Sequence, residues 1–141
     1  MPPPDERPVL GTAIPAAAPF AGREPIIRTV PQPADMNGNG DIFGGWVLSQ
    51  MDIAGGTLAS RAAHGRVATV AITAMTFVQP IKVGDLVTIY GEVEKIGNTS
   101  ITIKLETVVQ RRLDPTPIRV TEGTFVFVAI DEDGRPRKVR T

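Results

Sequence analysis

Asp52 is the residue whose type and position most suggest chemistry. It lies in the stretch NGNGDIFGGWVLSQMDIAGGTLASRAAH, residues 37–64. This stretch opens with turn residues and then reads as one helix, starting near 43–46 and ending near His64-Gly65. Asp52 is therefore mid-helix, beyond the capping positions. Its neighbours one turn away are Leu48 and Gly56, so no local lysine or arginine pairs with it. Such a carboxylate can act as a general base toward water or as a nucleophile toward an activated carbonyl. Gly44 and Gly45 form the second element of the site. Two glycines in a first helical turn leave N–H groups uncovered at the positive end of the helix dipole, where they can hold a developing oxyanion. At 1.5 Å per residue these amides are roughly 11 Å from Asp52 along the axis, too far to serve one atom from one helix. A second copy with its helix antiparallel would bring them together, so the expected site is dimeric.

The remaining candidates are weaker. Asp41 is an N-cap candidate and, alternatively, a polar positioner in the site. Asn37 and Asn39 suit the turn. His64 suits a helix C-terminus, and Arg66 is placed to face a phosphate. Arg111-Arg112 and the cations at 135–140 are the only basic clusters. Most of these should be solvated, although an arginine pair beside the site would suit a phosphorylated carrier. Asp85 belongs to a turn at Val83-Gly84-Asp85.

The helix carrying Asp52 has an unusual composition. Val47, Leu48, Met51, Gly55, Leu58 and Ala62 share one face at about 100° per residue. Gly45, Asp52, Gly56, Ala59 and Ala63 form a small-residue stripe beside it. The far side, Ser49, Ile53, Thr57 and Ser60, is barely polar, so the helix should be buried on most sides. Gly55 and Gly56 each cost about 1 kcal/mol of helix propensity, which points to close approach of backbone or ligand.

Strands surround this helix: a short one at 26–30, then 67–78, 86–96 with Val87, Ile89 and Val93 on one face, 100–112 through Ile101, Ile103 and Leu105, and 118–130. Gly97-Asn98 reads as a hairpin turn and Asp114–Pro117 as a loop. Only the helix makes a long connection, so the expected class is α+β, an antiparallel sheet wrapped on one central helix. Residues 1–25 read as a Pro/Ala-rich disordered tail, 26–134 as the domain, and 135–141 as a basic tail.

Bulk properties narrow the function. The 141 residues carry a formal net charge of zero, one histidine and no cysteine. Nothing there suggests a nucleic-acid partner, and a thiolate nucleophile or multi-histidine metal site within one chain is excluded. No apolar run suits a membrane span, and the N-terminus lacks a secretory pattern, so the expected compartment is the cytoplasm.

The segments NGNGDIFGGWVLSQMD, AHGRVATVAI, MTFVQPIKVGD and GNTSI closely resemble the YciA-type acyl-CoA thioesterases of the hotdog fold, over roughly residues 26–134. That resemblance implies dimers with paired helices, often assembled as hexamers, and hydrolysis of acyl-CoA to free CoA and a carboxylic acid. It also implies no metal and no cofactor, coenzyme A being part of the substrate. By position, Asp52 matches the catalytic carboxylate, and Asp41 a polar residue entering the site from the other subunit. Gly44 and Gly45 match the carbonyl-polarising glycines. Asn39 lies in the same block; His64, Gly65, Arg66 and Val67, with Asn98, Thr99 and Ser100, match segments near CoA. Arg111 and Arg112 match positions that can meet its phosphates. The rival reading is a non-catalytic acyl-CoA sensor on the same fold. A hydratase would want a histidine–aspartate pair, and His64 is twelve positions from Asp52.

Overall fold

Residues 23–139 are described by the computed structural model; nearly all of the Pro/Ala-rich segment lies outside them. The elements are β1 (Ile27–Thr29), α1 (Gly44–Ala63), β2 (Val67–Phe77), β3 (Leu86–Ile96), β4 (Ser100–Arg111) and β5 (Asp114–Ala129), with a short 3₁₀ turn at Pro33–Asp35 before the helix. The strands form one sheet in the order β1-β3-β4-β5-β2, every pair antiparallel. The helix lies across its inner face, the arrangement the strand and helix order implied. Among the described residues no helix is long and apolar enough to cross a membrane.

Alternation builds the core. Ile101, Ile103 and Leu105 of β4 are wholly buried, as are Val87 and Ile89 of β3 and Phe125, Phe127 and Ala129 of β5. On α1 the buried positions are Val47, Met51, Ala54, Gly55, Ala59 and Ala63. The core stripe is thus rotated from the expected one, with Ala59 and Ala63 inside and Leu58 and Ala62 only partly covered. The rotation follows from Gly55. A Cβ there would stand 2.9 Å from the Phe127 ring and 3.0 Å from Leu105, so the helix turns its smallest residues onto the bulkiest strand residues. Nor is the helix buried on most sides: Ile53 is 57% exposed.

Three further expectations change. Val93 is 41% exposed, not inward with Val87 and Ile89; the β3–β4 ladder is irregular between Val93 and Lys95. Asp114–Pro117 is no loop but the start of β5, paired back to Arg111 and Gln110, with Arg112-Leu113 as the turn. Beyond the end of β2 this part of β5 is an edge, where proline's missing N–H costs nothing. The Asp114 carboxylate accepts the Thr116 N–H (3.0 Å), a bond that holds its pKa below the ordinary carboxylate value.

The segments at both ends also join the fold. Arg23 pairs with Glu106 (2.8 Å) and lies over the Tyr90 ring. Arg137 N–H donates to Ala129 O, Val139 N–H donates to Asn98 O, and Val139 is buried. Arg137 is not solvated surface. Its guanidinium donates to Ala63 O (2.8 Å) and to Ile130 O (3.3 Å), closing the helix C-terminus.

Gly55→Val should cost about 1–3 kcal/mol, the usual range for overpacking. Urea unfolding monitored by circular dichroism checks this.

Candidate active site

Asp52 is half-buried on the flank of α1 that faces β2. Its Oδ1 accepts the Thr69 hydroxyl at 2.6 Å. Thr69 comes from the edge strand, at a point where the β2–β5 register slips between Thr69 and Ala71. An irregularity of this kind re-aims a side chain locally. One carboxylate oxygen is thereby tied, and Asp52 borders an open groove that runs along the helix past Gly56 and Ser60 to Arg61, His64 and Gly65. Thr69 carries no short-range sequence signal: it reads only as a β-branched residue in a strand, 17 positions from its partner.

The helix start differs from expectation in its capping. The N-cap is Phe43, with no side-chain cap, so Asp41 does not cap the helix. Its carboxylate forms an ion pair with Lys82 instead. Asn37 organises the loop, its Oδ1 accepting the N–H groups of Asn39 (2.8 Å) and Asp41 (3.2 Å); Asn39 itself is exposed. Phe43 O accepts the N–H groups of Trp46 and Val47. Among the described residues the amides of Gly44 and Gly45 have no acceptor, as helical positions before the first full turn require. Both glycines are exposed. A Cβ at Gly45 would meet nothing within 4 Å, and one at Gly44 only the Phe77 ring at 3.7 Å.

At the other end of the helix, His64 adopts the left-handed conformation (φ 53°) and is exposed. Gly65 donates to Ser60 O. A Cβ at this glycine would lie 2.6 Å from the Arg137 guanidinium, which explains the residue type. Arg66 is exposed and donates to Asp131 O and Glu132 O, and Val67 opens β2. Asn98, Thr99 and Ser100 form the β3–β4 turn, and their carbonyls accept from Val139, Ala129 and Gly97 respectively. His64, Asn98, Arg137 and Lys138 border one large cleft, so of the residues matched to CoA-proximal segments the fold brings His64 and Asn98 together there.

Arg111 and Arg112 are elsewhere. Arg111 ends β4, which Ser100 begins, and Arg112 follows in the turn; eleven steps of about 3.3 Å put Arg111 roughly 36 Å away. Arg111 pairs with the buried Asp85, while Arg112 is exposed. One copy of the chain therefore carries a carboxylate in the middle, open amides and arginines at one end, and a polar cleft at the other.

Residues 39–113 match the family model described as the thioesterase superfamily. The acyl-CoA thioester hydrolase YciA of Salmonella typhimurium is 50% identical over 118 residues, covering 81% of this chain and 88% of that protein. Among solved structures, HI0827, a hexameric broad-specificity acyl-CoA thioesterase, superposes with a TM-score of 0.79 at 45% identity, over 86% of this chain and 84% of that one. The hexameric thioesterase y2039 of Yersinia pestis gives 0.80 at 46% identity, over 85% and 98%.

Proposed function

The chain belongs to the thioesterase superfamily, as a hotdog-fold relative of the YciA acyl-CoA thioester hydrolases, and from that membership we propose a mechanism of acyl-CoA hydrolysis at a site shared by two copies. The observation that carries it is the Asp52–Thr69 pair on an open groove. Thr69 ties Oδ1 and leaves Oδ2 to take a proton from water. That water attacks the thioester carbonyl carbon, and the carbonyl oxygen, as it becomes an oxyanion, is held by the Gly44 and Gly45 amides of the second copy. Collapse breaks the C–S bond, releasing CoA thiolate and the carboxylic acid. A thiolate leaves readily, so a strong general acid is not required.

The two-copy arrangement has its own support. The groove is bordered by Ile53, and the neighbouring edge strand β2 is uncovered along most of its length, with Val70 57% and Ile72 39% exposed. An apolar edge of this kind is a template for another strand. A twofold-related copy that pairs its own β2 here lays its helix antiparallel to this one. Relatives described as hexameric support a homo-oligomer built from such dimers.

Release of free thiol from acyl-CoA, followed with a thiol-reactive dye, tests the reading. Asp52→Asn should lower kcat on the order of 10²–10⁴-fold; near-complete activity would move the chemistry to another group. Acyl-CoA binding without turnover by the wild type would favour a sensor.

Thr69→Val should lower kcat by about tenfold or more, the value of a hydrogen bond to a charged group, with KM little changed and Thr69→Ser restoring activity.

Ile53→Asp places a charge on the apolar border and should shift the protein to a smaller species in light scattering, with loss of turnover. A variant that keeps the wild-type mass and rate would contradict the shared site.

A further inference from the structure

We infer that Arg111 is a positioning residue for the oxyanion-binding glycines rather than a phosphate ligand; the inference rests on the role proposed above for Gly44 and Gly45. The path is continuous. Arg111 Nη1 donates to Asp85 Oδ2, and Nη2 donates to Pro80 O (3.3 Å). The same Asp85 oxygen accepts the Lys82 N–H (2.8 Å), and Asp85 N–H returns to Lys82 O (3.1 Å). Asp85 is only 2% exposed, so its charge depends on these partners, and the guanidinium fork is what joins both ends of the 80–85 turn.

That turn then holds the chain leading into the helix. Ile42 N–H donates to Ile81 O (2.9 Å), and Lys82 Nζ pairs with Asp41. Ile81 and Ile42 are both buried, and Gly44 follows two residues later. Glycine amides with no side chain to anchor them have their direction set by this preceding segment. A small cavity of about 40 Å³ lies between turn and glycine, so a shift of the turn reaches the helix start through the Ile42–Ile81 hydrogen bond and the Lys82–Asp41 pair. An aim error of an ångström can cost as much as 10²-fold in rate.

The two roles separate on substrates with and without phosphates. Arg111→Met is assayed on an acyl-CoA and on the matching acyl-N-acetylcysteamine thioester, which has the same reacting group and no phosphate. A positioning role lowers kcat on the acyl-CoA and kcat/KM on the truncated thioester alike, on the order of tenfold, with KM for the acyl-CoA within about threefold of wild type, a change of less than 1 kcal/mol. A rise in acyl-CoA KM with unchanged kinetics on the truncated thioester overturns the inference, and so do unchanged kinetics on both. If Arg111→Met fails to fold, Asp85→Asn decides. It keeps an acceptor for Lys82 N–H but removes the charge that holds Arg111; a folded variant with a lowered rate on both substrates supports the path, and wild-type rates overturn it. A wild type with no thioesterase activity sinks the reading of the site itself, whereas wild-type-like variants sink only this inference.

Discussion

The arrangement depends on how closely α1 approaches the sheet. Gly55 sits against the Phe127 ring with no room for a methyl group between them, and this contact sets both the depth and the rotation of the helix. With Gly55 at the bottom, Asp52 comes to the rim, neither sealed in the core nor free in water. Three residues at about 100° each put it on the flank toward β2, where Thr69 can reach it. A larger residue at 55 would lift or roll the helix and move the carboxylate with it. The cost of glycine in a helix is local; what it secures is the position of a functional group one turn away.

The two ends of the helix are held by different chemistry, and the difference suits their tasks. The C-terminal end is closed: a left-handed His64, Gly65 and Ser60 in reciprocal bonds, and the Arg137 guanidinium on Ala63 O. The N-terminal end is left open, with no side-chain cap and two glycine amides uncommitted among the described residues. Ordinary stabilisation would place a serine or aspartate there. Asp41 is near enough in sequence to serve, yet it pairs with Lys82, which leaves the positive end of the dipole without a side-chain cap.

Much of this was legible in the sequence. The helix span follows from its flanking turn residues, and the inward residues of β4 follow from strict alternation. The strand order, one helix and hairpin connections, led to the α+β class directly. The failures share a cause. Arg137, Arg111 and Thr69 each act on a partner far away in the chain: Ala63, Asp85 and Asp52. Local reading assigned the first to solvent and the third only to a strand, and it gave Arg111 no buried carboxylate. Charge type alone says nothing about whether a buried carboxylate or a helix carbonyl already holds a guanidinium. The Asp114–Pro117 segment misled for a related reason. Its turn-like composition is compatible with an edge strand, and only pairing with Arg111 and Gln110 decides between them.

The distances within one copy bear on what a complete site requires. Open amides at one helix end and a carboxylate roughly 11 Å along the axis cannot meet at a single carbonyl. In the proposed dimer, a twofold axis running past the exposed β2 edge would remove that conflict. That operation would reverse the partner helix, so that an amide-bearing end comes opposite a carboxylate. An edge already apolar and exposed, as β2 is at Val70 and Ile72, is where such a copy would seat.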